Sequence, residues 1–236
     1  MHFADLVLSK RLERAEGHAC VQFAEARRRL FPDSGAEWIE CAGAYAVFDG
    51  IESPVTQTFG LAIFEELSPA SLDVIERFFL DRGAPVLHEV SPFAGVAALQ
   101  MLSARNYKPV EISNVLCRSV ERPTAQEQSD VSVRVIAPEE ANLWSNISAR
   151  GWSHEHPELG DFLLGLGAIS AAREDSLCFL AEHGGEPGAA GVCAFMLELL
   201  CSAARLPFPS CGVVGCTQRS SIRVCATPSI MDAIWR

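Results

Sequence analysis

The spacing of apolar residues along the first part of the chain predicts one helix followed by two strands. Apolar side chains recur at near-helical intervals through residues 6–24, with arginine and glutamate between them, which is typical of an amphipathic helix. Residues 37–48 predict one strand and residues 55–64 predict a second. Asp49 and Gly50 supply turn chemistry between these two strands.

A capped helix is predicted to begin at Ser68. Serine is a preferred cap residue and Pro69 suits the first helical position, so the helix is expected to continue through its apolar positions to Gly83. The rest of this half predicts, in order, a buried strand over 84–90, a helix over 96–105 and a final strand over about 111–118. The polar stretch 119–130 contains proline and is predicted to be a linker.

The second half opens with alternation at Val131, Val133 and Val135, which predicts a strand. Pro138 and the two acids after it predict the start of a helix, because proline is favoured at the first helical position and negative charge in the first turn. The elements that follow are a helix over about 157–173, a strand over 177–182, a hairpin turn over 183–187 and a strand beginning at Ala189. The predicted order in the second half is therefore strand, helix, helix, strand, turn, strand.

The composition narrows the class of protein. The chain has 236 residues, of which 49% are hydrophobic and 21% charged, and its net charge is −11. Such a charge argues against a nucleic-acid partner, because nothing offsets phosphate repulsion. No stretch approaches the roughly 20 apolar residues that a membrane helix needs, and charged residues interrupt the N-terminal segment too early for a secretory signal. We therefore expect a soluble, cytoplasmic protein without a membrane partner.

One segment of the first half carries a family resemblance. Residues 92–109 (PFAGVAALQMLSARNYKP) resemble the late element of the GNAT acyltransferase family, in which a strand, a proline and a helix lead through an Arg/Asn-Gly/Asn-Tyr/Phe turn into a final strand. The second half is similar to the beginning of a GNAT domain in its order of elements. The chain thus resembles the two-repeat members of the family. The alternative is an ordinary helix-to-strand turn that uses Asn106, since asparagine tolerates turn geometry.

The resemblance implies an α/β fold of tandem GNAT-like repeats, each a mixed central sheet flanked by helices, with the second repeat incomplete. The family transfers an acetyl group from acetyl-CoA to an amine, here a small-molecule acceptor. In this family the pyrophosphate of acetyl-CoA binds to an Arg/Gln-x-x-Gly-x-Gly/Ala loop at the start of a helix. The pantetheine of acetyl-CoA lies beside the splayed central strands. At the matching place the first half has residues 67–71 (LSPAS), without glycine or a basic residue. This half is therefore expected to be degenerate, with no cofactor-binding residues.

The composition changes near Val192. The last 44 residues hold five of the nine cysteines and only two acids. When the final base of each codon is read with the first two bases of the next, residues 208–218 permit P-E-L-R-R-R-G-L-H-A, which resembles the missing loop. Some positions are nearly forced: the Cys216–Thr217 junction yields only His or Tyr, and the Met231–Asp232 junction yields only Gly. We predict a frameshift near Val192; the alternative is a genuine cysteine-rich tail.

The predicted organisation is a degenerate GNAT-like half (1–118), a linker (119–130), the start of a catalytic-type half (131–192) and an out-of-frame tail (193–236). The printed chain is therefore expected to be inactive and not to bind acetyl-CoA. We also expect an unpaired sheet edge at the strand from Ala189, exposed apolar surface and poor solubility. The alternative function is a non-catalytic GNAT remnant or interaction module.

Few side chains qualify as site residues. In GNAT enzymes the region between the first two helices lines the acceptor pocket, so the resemblance implies that Trp152 and His156 contact substrate and that Glu155 is a candidate general base. His154-Glu155-His156 is not expected to bind zinc, which takes three or four ligands. The tail cysteines match no zinc spacing, so no metal site is expected and catalytic residues stay unassigned.

Overall fold

The computed structural model describes residues 5–115, 131–153, 160–196, 199–205 and 224–226. The chain divides into two compact units, Met1–Asn114 and Val115–Arg236, which are called unit 1 and unit 2 below. Each unit combines helices with one small antiparallel sheet, so the predicted mixture of helix and strand is confirmed.

The described residues of unit 1 form three α-helices and a three-stranded antiparallel sheet of order β1-β2-β3. Its elements in chain order are α1 (Leu6–Leu30), β1 (Glu37–Cys41), β2 (Ala44–Phe48), β3 (Gln57–Phe59), α2 (Pro69–Leu80) and α3 (Val96–Ala104). The three predicted helices are confirmed. α1 begins at the cap Asp5, whose carboxylate accepts the N–H of Leu8 at 2.7 Å.

Residues 37–48 form a hairpin, so the prediction of a single strand was wrong. β1 and β2 pair from Glu37 opposite Phe48 to Cys41 opposite Ala44, which leaves a two-residue turn. Ala42 (φ 50°) and Gly43 (φ 71°) are both left-handed, as a tight hairpin turn requires. An alanine rarely adopts that conformation, and for this reason the apolar pattern concealed the turn.

The second predicted strand is much shorter than expected. β3 covers Gln57–Phe59, and the chain then turns at Gly60 (φ 73°) and Ala62 (φ 60°). The strand predicted over 84–90 is reduced to one parallel bridge between Thr58 and His88. The final predicted strand is not formed over 111–115, and the rest of it lies outside the described residues.

Helices cover both faces of the sheet of unit 1. One face of β2 packs with α2 in a core that contains Ala44, Ala46, Phe48, Leu72, Ile75 and Phe79. The opposite face packs with α1 in a core that contains Val47, Phe59, Val21 and Ala24, with Tyr45 at its side. Side chains that alternate along β2 thus face two different helices, as the two-residue period of a strand dictates.

The described residues of unit 2 form two α-helices and five strands, all antiparallel, in the order β4-β5-β6-β7-β8. Its elements are β4 (Val131–Val135), α4 (Ala141–Ser153), α5 (Gly160–Ala171), β5 (Ser176–His183), β6 (Glu186–Met196), β7 (Leu199–Arg205) and β8 (Val224–Ala226). The core lies between α4 and the sheet. There the indole N–H of Trp144 donates to the carbonyls of Phe179 (3.0 Å) and Gly191 (3.2 Å), one on each of β5 and β6.

The expectation of an unpaired edge at the strand from Ala189 was wrong. β6 pairs with β7 from Ala190 opposite Arg205 to Met196 opposite Leu199. The pairing needs only backbone N–H and C=O groups, which every reading frame provides. Within the described residues, no helix is long and apolar enough to cross a membrane.

Candidate functional site

The three residues predicted to line an acceptor pocket are only partly within the described structure. Trp152 belongs to the last turn of α4. Glu155 and His156 lie outside the described residues, as does His154. Their roles therefore remain predictions.

The N-terminus of α2 is the place in unit 1 where a pyrophosphate-binding loop is expected. Ser68 Oγ accepts the N–H of Ser71 at 3.1 Å, and Ser71 Oγ accepts the N–H of Ser68 at 2.9 Å, which together form a capping box. The N–H of Leu72 donates to the carbonyl of Ser68 at 3.0 Å, and Pro69 has no N–H. The remaining first-turn amide is that of Ala70. Because anion binding at a helix N-terminus uses several free N–H groups, this terminus is not arranged to hold a pyrophosphate.

The chain after α2 pairs with β3 only briefly, and the two segments then separate. Thr58 donates its N–H to the carbonyl of Leu87 at 2.9 Å and accepts the N–H of Glu89 at 2.8 Å, which is parallel pairing. The next amide that could extend this ladder is that of Gly60. It lies near the carboxylate of Glu13 on α1, close enough for the amide to lower the pKa of that carboxyl group. Glu13 is therefore placed beside the point of separation.

The position of Glu13 is fixed by contacts one helical turn away on either side. Ser9, Glu13 and Gly17 lie on one face of α1, since steps of four residues return to the same face. The Ser9 Oγ is 2.9 Å from Ser91 Oγ. At the other end, a Cβ on Gly17 would lie 3.1 Å from the Cβ of Phe59, so the helix approaches the sheet closely there. Sequence analysis did not select Glu13. The four-residue spacing of Ser9, Glu13 and Gly17 would have indicated that they share one face of the predicted helix.

Glu13 and Glu89 are half-buried carboxyl groups with raised pKa values. Burial, and then the charge of Glu89, raise the pKa of Glu13 to about 7, although the Gly60 N–H lowers it in part. Burial, and then the charge of Glu111, raise the pKa of Glu89. A carboxyl group that titrates near pH 7 has the protonation equilibrium that general acid–base chemistry needs.

Polar contacts hold the turn of residues 92–109, called the family-like segment below, against α2. Asn106 adopts a left-handed conformation (φ 64°), as its place in the turn predicts. The hydroxyl of Tyr107 donates to Glu76 at 3.0 Å, and Arg105 lies 2.6 Å from Glu76 and 2.7 Å from Asp73. Burial, and then the hydrogen bond to Glu76, raise the pKa of Tyr107. These polar contacts support the turn against α2.

The described part of the chain shows no cluster of metal-ligating side chains, and two of its cysteines have raised pKa values. No group of three or more metal-ligating side chains occurs there. Burial raises the pKa of Cys178 to about 12 and also raises the pKa of Cys41. Reactive cysteines have lowered pKa values, so these two thiols are suited to packing and not to nucleophilic attack.

Comparison with known proteins finds a likeness among solved structures. No family model matches the chain, and no curated protein matches it. Among solved structures, the chain is similar to a GCN5-related N-acetyltransferase from Kribbella flavida, with 14% sequence identity and a TM-score of 0.49. The similarity covers 89% of this chain and 85% of that chain.

Proposed function

We propose that the chain is an N-acetyltransferase-like protein of the two-repeat GNAT type whose printed sequence does not bind acetyl-CoA. The observation that carries the proposal is the self-capped N-terminus of α2. Ser68 and Ser71 satisfy each other's N–H groups, so amides that would receive a pyrophosphate are already engaged. Unit 1 would then be a cofactor-free repeat.

A second obstruction in unit 1 supports the same proposal. In GNAT enzymes the pantetheine lies beside the splayed central strands, where a free backbone amide can pair with it. In this chain the amide of Gly60, at the point where the strands separate, lies near the carboxylate of Glu13 and lowers its pKa. A cofactor would have to displace a half-buried carboxyl group that Ser9 and Gly17 hold in place from both sides.

Cofactor binding would therefore fall to the second half, and there the loop is missing from the printed frame. The alternative frame through residues 208–218 permits an arginine-rich glycine loop. With that frame restored, the protein would transfer the acetyl group of acetyl-CoA to a small-molecule amine in the cytoplasm, without nucleic-acid or membrane partners. Trp152 and His156 would contact the amine, and Glu155 would take its proton as the nitrogen attacks the thioester carbonyl and the CoA thiolate leaves.

A non-catalytic remnant or interaction module is the second candidate. The observation that favours it is the pairing of β6 with β7, because residues after Val192 then contribute to a sheet as printed. Acetyl-CoA binding separates the two candidates. A soluble, folded chain that binds no acetyl-CoA in either frame would favour the module.

The first test is the nucleotide sequence itself, read from genomic DNA and from the transcript across codons 188–196. The proposal predicts an insertion or deletion relative to the frame that encodes the glycine loop. An uninterrupted frame that matches the printed residues would contradict it.

The second test compares the printed chain with a chain translated in the restored frame. Both would be incubated with acetyl-CoA and a panel of primary amines, and CoA thiol release would be measured with a thiol reagent. We expect amine-dependent release by the restored chain alone. In the restored chain, Glu155→Gln should lower the rate at saturating amine, whereas Glu174→Gln is a matched control on the same unit that should not.

A further inference from the structure

Two polar side chains of unit 1 have buried polar atoms beside an apolar core. Thr58 is 0% exposed, and its Oγ1 has no hydrogen-bond partner among the described residues. Both ring nitrogens of His88 are buried and also lack such a partner in the described part of the chain. A buried polar group without a hydrogen-bond partner destabilises the folded chain, so such atoms at neighbouring positions call for a physical account.

The two side chains are neighbours on one face of the sheet. Thr58 and His88 are partners in the parallel bridge, and residues paired in this way lie on the same side of strands about 4.8 Å apart. Ala46, which pairs with Thr58 on the other side, belongs to the core against α2. The face around the pair is apolar, and the residues that flank His88 on this face are Val86 and Val90.

Two polar side chains near the pair are committed elsewhere. The ring of Tyr107 lies 4.8 Å from the ring of His88, but its hydroxyl donates to Glu76. Glu89 follows His88 in an extended segment and so points to the opposite face, towards Glu13. Neither group can therefore satisfy the imidazole.

We propose that Thr58 and His88 bind a water molecule between them. Water is a donor and an acceptor at once, so it can accept the Thr58 hydroxyl proton and donate to the unprotonated nitrogen of the imidazole. Burial lowers the pKa of His88 to about 4, so the ring is neutral near pH 7 and offers one acceptor nitrogen and one donor nitrogen. An ion is a poor occupant, because neither side chain carries charge and the surrounding face is apolar.

A double-mutant cycle in the full chain tests this water site through Thr58→Val, His88→Phe and the double variant. If water bridges the pair, each single substitution leaves a polar group unsatisfied and should raise the unfolding constant about tenfold. The double variant should raise it by less than the product of the single effects. If no water is bound, Thr58→Val removes an orphan hydroxyl and leaves the unfolding constant unchanged or lower, which would overturn the proposal.

Thr56→Val is the matched control. Thr56 is 1% exposed, and its hydroxyl has known protein partners: it accepts the N–H of Asp49 at 2.9 Å and donates to the carbonyl of Gly50 at 2.6 Å. The change in the unfolding constant on Thr56→Val therefore gives the effect of removing a buried threonine hydroxyl that has hydrogen-bond partners. We expect Thr58→Val to fall within a few-fold of this value.

A direct hydrogen bond between Thr58 and His88 would also produce coupling, and a second measurement excludes it. Water-selective NOE and ROE spectra of the full chain, labelled at threonine and histidine, should show cross-peaks of opposite sign from water to the Thr58 methyl group and the His88 ring protons. Coupling in the cycle without these cross-peaks would assign the contact to the two side chains alone and overturn the water site.

Discussion

At the scale of single residues, Gly17 sets how closely α1 lies on the sheet. A Cβ there would be 2.8 Å from Tyr45 Cδ2 and 3.1 Å from Phe59 Cβ. Gly17→Ala should therefore lower the free energy of unfolding by about 1–2 kcal/mol, because the cost of overpacking exceeds the gain of helix propensity.

The control for Gly17→Ala is Gly165→Ala. Gly165 lies inside α5, and a Cβ there meets nothing within 4 Å. This substitution should stabilise the protein by roughly 0.5–1 kcal/mol through helix propensity alone. Chemical denaturation of both variants checks the pair, and equal effects of the same sign would show that the close approach at Gly17 is not as described.

Glu13 should make stability depend on pH. Its folded pKa is about 7 and its ordinary value is 4.5, so between these values the folded chain holds the proton more tightly than the unfolded chain. By linkage, the free energy of unfolding contributed by Glu13 falls as pH rises through this interval. Glu13→Gln should be neutral near pH 4.5 and stabilising above about pH 7, on the order of 1 kcal/mol after solvent screening.

His88 acts in the opposite sense and has to be separated from Glu13. Its folded pKa of about 4 lies below its ordinary 6.5, so the unfolded chain binds more protons between these values and stability rises with pH. The difference between Glu13→Gln and wild type cancels the histidine contribution. Urea unfolding of both chains at pH 5 and pH 8 measures that difference, and a difference that stays constant with pH would contradict the assignment.

At the scale of elements, the sequence predicted helices better than strands. α2 was readable because Ser68 and Pro69 are local signals, and the actual capping box is made by those neighbouring residues. The hairpin over 37–48 was missed because its turn contains Ala42, which adopts φ 50° under the constraint of β1–β2 pairing. Strand length depends on partners that are distant in sequence, and no local pattern encodes them.

The turn after α3 offers a test of the family-like segment. Asn106 has φ 64°, a conformation that suits glycine and asparagine and strains β-branched residues. Asn106→Gly should therefore change the free energy of unfolding by only a few tenths of a kcal/mol, whereas Asn106→Val should lower it by about 1–2 kcal/mol. Thermal unfolding of the two variants measures the contrast, and equal stability would mean that the left-handed turn is not required.

At the scale of the whole molecule, only part of the candidate site could be predicted from sequence. The closed N-terminus of α2 was predictable because Pro69 removes an N–H and residues 67–71 lack glycine. The proximity of Glu13 to the Gly60 amide could not be predicted from the sequence, because it requires α1 to cross the sheet at one particular distance and register. The glycine loop that we predict for the second half rests on codon arithmetic alone, and the structure does not test it.

Titration of the full printed chain with acetyl-CoA in a calorimeter tests the central claim most directly, namely that no cofactor site is formed in this reading frame. Circular dichroism of the same sample would first establish that the protein is folded. We predict no saturable heat, because the N–H groups at the α2 terminus are already engaged, the Glu13 carboxylate lies near the Gly60 amide, and residues 131–236 contain no Arg/Gln-x-x-Gly-x-Gly/Ala sequence. Saturable binding in the micromolar range would contradict the claim.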